Sequence, residues 1–380
     1  MAGEGRRIRF RGAGARVVIV PVRCDAGGLV DRLRELRAAG QVPLVGDDRW
    51  PPAHWDAVAA MAAAGTTPPD AAWATLTSGS SGAPRIVLRT ADSWSASFAA
   101  VAGLLDAGPD DAVLLPAPPS ASMTLFSLAH ALDGGPRPLL GAVDRDAATC
   151  FHGTPQALRA VLEAGAPPQL RSALVGGSHV DDGLRTRAEA AGIRVYAYYG
   201  AAELSFVAVD DGDGLRAFPR VELGLRDGEL WVRSPFVALG YAGSSGPLRR
   251  DGDWATVGDR AELIDGRLRL LGRADDAILT ASATIVPEEV EAVLRSVPGI
   301  RDAVVFGLPQ ARVGALVAAF VELDGAPPAG LRALSAERLA PAHRPRRWFA
   351  GELPRTPSGK PARAEAIRRA LSGEVERLVV

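Results

Sequence analysis

"RSALVGGSHVDDGLRTRAEAAGIRVYAYYGAAE", residues 171–203, reads as strand, helix, strand. "SALVGG" (172–177) is a short, nearly unbroken apolar run ending on two glycines, the pattern of a strand buried on both faces. Residues 182–191 form a helical stretch that stops at Gly192, and "IRVYAYYG" (193–200) is a second strand. Two strands joined by a helix lie parallel in one sheet, and ligands of such sheets sit past the carboxyl ends of the strands. Both strands here run out into segments with chemistry to offer: "GGSH" (176–179) and "YYGAAE" (198–203).

Upstream the alternation continues. Residues 15–22 read as a strand and 28–39 as a helix closed by Gly40. "DDRWPPAHW" (47–55) and "GTTPPDA" (65–71) read as Pro-rich loops, and "AAWATLTSGSSGAPRIVLRT" (71–90) as strand, Gly/Ser loop, strand. A helix at 91–105, the strand "DAVLLPAP" and the helix "QALRAVLEAG" follow. From residue 214 short strands broken by Asp-Gly turns indicate a β-rich subdomain. Beyond Arg273 the texture changes again. "PEEVEAVLRSV" sets Val290, Val293, Leu294 and Val297 at helical spacing, with Pro287 opening the helix and Glu288 and Glu289 at its positive end. Two strands and helices at about 329–339 and 361–371 complete it. The expected architecture is α/β: a large N-terminal domain of mainly parallel sheets with helices plus a β-rich subdomain (residues 1–272, the subdomain about 214–272), a hinge at 273–276, and a small mobile α+β domain at 277–380.

With 380 residues, 47% hydrophobic and 23% charged, and a net charge of −1, the chain has ample core and no electrostatic footprint for nucleic acid or an anionic membrane. Cys24 and Cys150 give neither a metal spacing nor a disulfide framework. The basic start "MAGEGRRIRF" leads into no apolar signal core, and no apolar run approaches 18 residues. A cytoplasmic protein without membrane or nucleic-acid partners is expected; the oligomeric state is not legible.

The loop "TSGSSGAPR" offers Thr77, Ser78, Gly79, Ser80, Ser81, Gly82 and Arg85, hydroxyls and backbone NH groups that can wrap phosphate oxygens. It is not a Walker loop, and taken alone it is more often a surface loop. Further on come "YYGAAE" (198–203), "GDWATVGD" (252–259), "GRADD" (272–276), "PEEVE" (287–291) and "PRTPSGK" (354–360). In this order and spacing they resemble the adenylate-forming superfamily of acyl- and aryl-CoA ligases, luciferase-like enzymes and peptide-synthetase adenylation domains, across residues 73–380. The short N-terminal region most resembles the compact o-succinylbenzoate–CoA ligases.

The resemblance implies an ATP-dependent enzyme that converts a carboxylic acid to an acyl-adenylate and passes the acyl group to a thiol. It gives Lys360 a role at the α-phosphate and the attacking carboxylate. All 43 basic residues but this one are arginine, and a compact ammonium fits between two anions where a planar guanidinium fits less well. By the same resemblance Glu203 holds Mg²⁺, Asp259 accepts from ribose hydroxyls, and Arg273 lies near ribose or phosphate. Gly176, Gly177, Ser178, Tyr199, Gly200 and Ala202 border the nucleotide, and Asp275 is the hinge. Pro119–Leu125 (Pro119 and Ser120 foremost), Val175–Gly177, and Ala197 with Tyr198 are expected to wall the acyl pocket. His130, His152 and His179 are assigned no role. Several positions depart from the family pattern: Arg85 for a lysine, Ala202 for a threonine, and Ala281 and Ser282 for a glycine pair beside the thiol channel. Coenzyme A is the expected co-substrate, with carrier-protein pantetheine or an amine as alternative acceptors. A non-catalytic nucleotide-binding relative is the alternative of another class.

Overall fold

The computed structural model describes residues 17–24, 28–50, 52–78, 84–141, 144–177, 180–243, 245–273, 278–279, 284–285, 287–310, 314–325, 331–339, 341–356 and 359–378. Strand Ser172–Gly176 lies parallel to Arg194–Ala201, with Gly176 opposite Tyr198 and helix Asp182–Ala190 as the crossover. The Asp181 side chain accepts from the Leu184 N–H at 2.8 Å, satisfying a donor that the first helical turn leaves unpaired. Gly192, at φ +78°, ends the helix.

These two strands sit within a seven-stranded sheet in the order Arg216–Ala217, Ser205–Asp210, Arg194–Ala201, Ser172–Gly176, Cys150–Gly153, Ala112–Leu115, Arg137–Leu140. The last five run parallel; the first two join antiparallel. Helices Pro155–Glu163 and Asp182–Ala190 cover one face through Leu158, Val161, Leu184 and Ala188. Helices Asp92–Leu105 and Ser122–Leu132 cover the other through Trp94, Phe98, Leu125 and Phe126. A five-stranded sheet holds Ile19–Val22, Val42–Val45 and Trp73–Ser78 in parallel, then Pro84–Arg89 and Gly240–Tyr241 antiparallel. This sheet is mixed because too few residues separate Ser78 from Pro84 for a parallel crossover.

One expected loop is a helix. Pro52–Ala64 is helical, so most of the helix lies beyond "DDRWPPAHW" and its first turn within it. Proline is tolerated at that first turn, where its missing N–H would have had no partner.

The β-rich subdomain is a six-stranded sheet containing Glu222–Arg226, Glu229–Arg233, Asp259–Ile264 and Arg267–Arg273. Its tight hairpins turn at Asp227-Gly228 and Asp265-Gly266, with positive φ at all four residues, as the two-residue turn requires. Beyond it, a four-stranded sheet (Ile300–Gln310, Gly314–Leu323, Arg347–Ala350, Glu376–Leu378) carries helices Pro287–Arg295, Leu331–Arg338 and Arg363–Ser372. This sheet has its own cores, around Val290, Leu294 and Val305 on one side and Phe306, Phe320 and Ala366 on the other. Asp275, the expected hinge, lies outside the described residues. Among those described, no helix is long and apolar enough to cross a membrane.

Candidate active site

The carboxyl ends of the parallel strands and the C-terminal domain face each other across a cleft of about 1490 Å³. Lys360 reaches it from a tight turn, in which the Thr356 N–H donates to the Lys360 carbonyl at 2.7 Å and the Gly359 N–H to the Thr356 carbonyl at 2.8 Å. Arg355 braces the turn, donating to Asp302 and Glu322 at 3.0 Å each. Burial works to raise the Asp302 carboxyl, but Arg295 and Arg355 hold it below its ordinary value, so the brace stays charged.

The turn is seated on the large domain. A Cβ on Gly359 would lie 3.2 Å from Thr154 Oγ1, and a Cβ on Gly177 would lie 2.6 Å from Lys360 Cε and 3.6 Å from its Nζ. Gly177 also has φ +95°. Glycine is needed there for the backbone conformation and for the room it leaves to the lysine stem.

Glu203 is nearly buried, at 5% exposure, and its carbonyl accepts from the Ala238 N–H at 2.7 Å. The Tyr241 hydroxyl donates to Glu203 Oε1 at 2.8 Å and accepts from the Leu248 N–H at 3.1 Å. Burial and the adjoining carboxylate push the Tyr241 phenol well above its ordinary value, which keeps it a neutral donor. Beneath the loop lies Arg89, fully buried. It donates to the Ala202 carbonyl from Nε at 3.0 Å and Nη2 at 2.6 Å, and to the Phe236 carbonyl from Nη1 at 2.6 Å. Burial lowers its pKa to about 9 against the opposing pull of Glu203, so it remains cationic at neutral pH. The sequence reading missed Arg89 and Tyr241. A buried arginine and the Gly-Tyr pair that ends "ALGY" (238–241) have no spacing signal of their own.

The remaining candidates divide as follows. Thr77 and Arg85 pair across the hairpin ladder and line the cleft. Ser78 ends its strand. Gly79, Ser80, Ser81, Gly82 and Ser178 lie outside the described residues. The Tyr199 hydroxyl donates to Asp259 Oδ2, and Asp259 stands opposite Arg273 in the ladder. Tyr199, Gly200, Ala202 and Asp259 line the cleft.

In the deep end, Ser120 and Tyr198 line the cleft as expected, with Ala121, Ser122, Met123 and Ala197. Five expected wall residues do not: Thr124, Leu125 and Gly176 lie outside the lining, as do Val175 and Pro119. Val175 is fully buried among Leu158 and Leu184 on the opposite face of the sheet, because alternate residues of a strand point to opposite sides. Pro119 is buried and outside the lining. Their place is taken by residues that had been given no role. The ring of Tyr198 covers Gly176 and packs on Phe206 at 4.7 Å between centroids. His152, 1% exposed, joins Tyr198 Oη through Nε2 at 3.0 Å and Ser127 Oγ through Nδ1 at 2.8 Å. Burial, with His130 nearby, depresses its pKa to about 3, so the imidazole is neutral.

No cluster of three potential metal-ligating side chains exists among the described residues. Glu203 alone nevertheless suits Mg²⁺, which is commonly held by one or two carboxylates together with substrate phosphates.

The family model for the AMP-binding enzyme matches residues 3–242 and that for the AMP-binding enzyme C-terminal domain matches residues 289–360. The chain belongs to the AMP-binding enzyme family. It is 33% identical over 339 residues to a probable 2-succinylbenzoate–CoA ligase of Mycobacterium tuberculosis, covering 81% of this chain and 86% of that one. It is 31% identical over 294 residues to the 2-succinylbenzoate–CoA ligase of Salmonella typhimurium, covering 72% of this chain but only 63% of that relative's length. Among solved structures, a variant of E. coli MenE with bound OSB-AMS superposes with a TM-score of 0.79 at 23% identity, over 94% of this chain and 88% of that one. The amide bond synthetase McbA of Marinactinospora thermotolerans does so with a TM-score of 0.78 at 23% identity, over 93% and 90%. These likenesses establish the adenylate-forming architecture: an α/β large domain with a small C-terminal domain.

Proposed function

We propose that the protein is an AMP-forming acid–thiol ligase. A carboxylate oxygen attacks the α-phosphorus of ATP, the bond to the pyrophosphate oxygen breaks, and an acyl-adenylate forms. A thiol, coenzyme A in the first instance, then attacks the acyl carbon, expelling AMP and leaving a thioester. The observation that carries this reading is the chain's single lysine laid against Gly177, where the parallel strand Ser172–Gly176 ends.

Each residue's part follows from its chemistry. Two anions must meet, and the Lys360 ammonium stabilises the charge gathering between them. Glu203, oriented by Tyr241, would hold Mg²⁺, which supplies charge neutralisation of the nucleotide phosphates when bound. Asp259 accepts from ribose hydroxyls, with Tyr199 fixing its carboxylate. Thr77 and Arg85 lead into the phosphate loop. The small domain swings about Asp275 between the two half-reactions, and the domain limits 1–272 and 277–380 belong to this proposal.

A panel of aryl, fatty and amino acids, scored for acid-dependent pyrophosphate release with and without coenzyme A, tests the reading. Release confined to one acid class, with thioester formed on adding coenzyme A, supports it. Release with no thioester but acyl transfer to an added amine moves the acceptor to a nitrogen nucleophile, in line with the drifted Ala281 and Ser282. ATP binding without release for any acid leaves a nucleotide-binding protein.

A further inference from the structure

The deep end of the cleft begins one residue from the lysine: Lys360 lies over Gly177 and the Tyr198 ring over Gly176. An acyl group whose carboxylate meets Lys360 would therefore extend along Tyr198, whose ring fills the space over Gly176. The walls it meets there are aromatic and packed on one another, Phe126 edge to face with Trp94 and Phe206, and Tyr198 tilted on Phe206. Trp94 and Phe126 are 5.8 Å apart, Phe126 and Phe206 5.0 Å, and Tyr198 and Phe206 4.7 Å. Trp94, Phe126, His152 and Phe206 are almost fully buried by the protein itself and border the cleft only at their edges, so a group set against them meets little water.

Among the described residues no full charge lines this end of the cleft: the Arg89 guanidinium lies 5.5 Å from the Trp94 ring centroid, but it is bound to the Ala202 and Phe236 carbonyls and is outside the lining. The described cations of the cleft are placed elsewhere. Arg269 pairs with Glu262 and Glu289, Arg295 with Glu291 and Asp302, and Arg363 with Glu288 and Glu291; Arg338 donates to Ser296. Arg85 sits on the phosphate-loop hairpin and Lys360 at Gly177. Of the described acids lining the cleft, Glu203 faces Tyr241, Asp210 pairs with Arg185, and Asp259 accepts from Tyr199. The polar groups in the aromatic end are neutral: Ser127, His152 and Tyr198, linked in a chain. If His152 carries its proton on Nε2, it donates to Tyr198 Oη, and the phenol proton is left to donate into the cleft. If the proton is on Nδ1, it goes to Ser127, Tyr198 donates to Nε2, and the phenol oxygen accepts from the cleft. The hydroxyl can thus serve a donor or an acceptor, but it cannot neutralise an ion.

We infer that the acyl pocket takes an aryl monocarboxylic acid whose ring lies among Trp94, Phe126, Tyr198 and Phe206 and bears an uncharged hydrogen-bonding group toward the Tyr198 hydroxyl. Acids with a second carboxylate, or with an ammonium, are rejected. This rests on the ligase reading above. The rejection follows from the cost of burying an unpaired charge, and the preference for a polar substituent from the second hydrogen-bonding position of the Tyr198 hydroxyl, which its bond to His152 leaves for the substrate. Tyr198 is the specificity-determining residue; Ser127 and His152 position its hydroxyl.

The test pairs a hydroxybenzoate with benzoate and sets both against 2-succinylbenzoate. Pyrophosphate release gives kcat/KM, and quenching of tryptophan fluorescence in the presence of AMP gives binding without chemistry. The hydroxybenzoate is expected to exceed 2-succinylbenzoate by about 100-fold or more in kcat/KM, because the second carboxylate would be taken out of water without a partner. Tyr198→Phe keeps the ring and is expected to remove the advantage of hydroxybenzoate over benzoate, read as the ratio of their kcat/KM values in the variant against that ratio in the wild type. Ser127→Ala, which perturbs the chain from its far end, is expected to reduce the same advantage in part. Neutral acids that bind but release no pyrophosphate would uphold this pocket and sink the ligase reading. Binding or turnover of 2-succinylbenzoate as good as that of the hydroxybenzoate, or a Tyr198→Phe loss equal for both neutral acids, overturns the inference.

Discussion

At the scale of single residues the account turns on why an ammonium stands at 360 and a guanidinium does not. The stem of Lys360 passes a glycine so closely that a single methyl there would touch it, and the broader, planar head of arginine has no such passage. Lys360→Arg and Lys360→Ala are therefore both expected to lower the adenylation rate by about 10²–10³-fold, the scale of losing one charge-stabilising group. The circular dichroism spectrum and unfolding midpoint should stay unchanged, because the side chain is exposed. An arginine variant with near-full activity would show that charge alone is needed. Lys360, Glu203 and Asp259 were legible from the sequence because each falls in a motif of fixed spacing. Val175 was misplaced because a continuous apolar run carries no phase, so it does not reveal which strand residues face the cleft; Pro119 lies in the turn beyond strand Ala112–Leu115, where no periodicity applies. His152 was passed over because a lone histidine has no pattern; its partners, Ser127 and Tyr198, lie 25 and 46 residues away.

Among the elements, two connections do the positioning. The first is the strand end at Gly176-Gly177. Gly177→Ala meets both a positive φ and the lysine stem. It is expected to cost about 10²-fold in kcat for adenylation, comparable to misplacing a reacting group by about 1 Å, with a smaller change in nucleotide affinity by equilibrium binding. The second is Arg89, whose guanidinium ties the Ala202 and Phe236 carbonyls together. Arg89→Leu removes a buried charge but strands those carbonyls, and a loss of about 3 kcal/mol in denaturant unfolding is expected. A loss under 1 kcal/mol would mean that water or a backbone shift replaces the guanidinium. The strand–helix–strand units and the Asp-Gly hairpins were legible because periodicity and turn chemistry agree there. The helix Pro52–Ala64 was not, since prolines that mark a loop also open a helix.

For the molecule as a whole, two buried imidazoles set an acid limit. His152 is depressed to about 3 and His130 to about 4, both chiefly by burial, from an ordinary 6.5. The unfolded chain binds these protons more readily than the fold does, so stability rises with pH through this window and is lost as pH falls from about 6.5 toward 4. The slope is up to about 1.4 kcal/mol per pH unit for each group. Unfolding midpoints measured from pH 7 to 5 should show this decline, and His152→Gln should make it shallower while His130 keeps its share; a flat profile in the wild type would mean that water reaches both rings. The two-domain division was legible from the change of texture near residue 273. The closure of the small domain over Gly177 and Thr154 was not, because it depends on contacts between residues some two hundred apart in the chain.

The most direct test of the central claim is acid-dependent exchange of labelled pyrophosphate into ATP, which reads adenylation alone. Wild type, Lys360→Ala and Lys360→Arg would be compared with the acid that binds best. The account predicts exchange in the wild type that depends on the acid and falls at least about 100-fold in both variants. Equal exchange in wild type and Lys360→Ala would contradict it, for the single lysine would then have no part in bringing the two anions together.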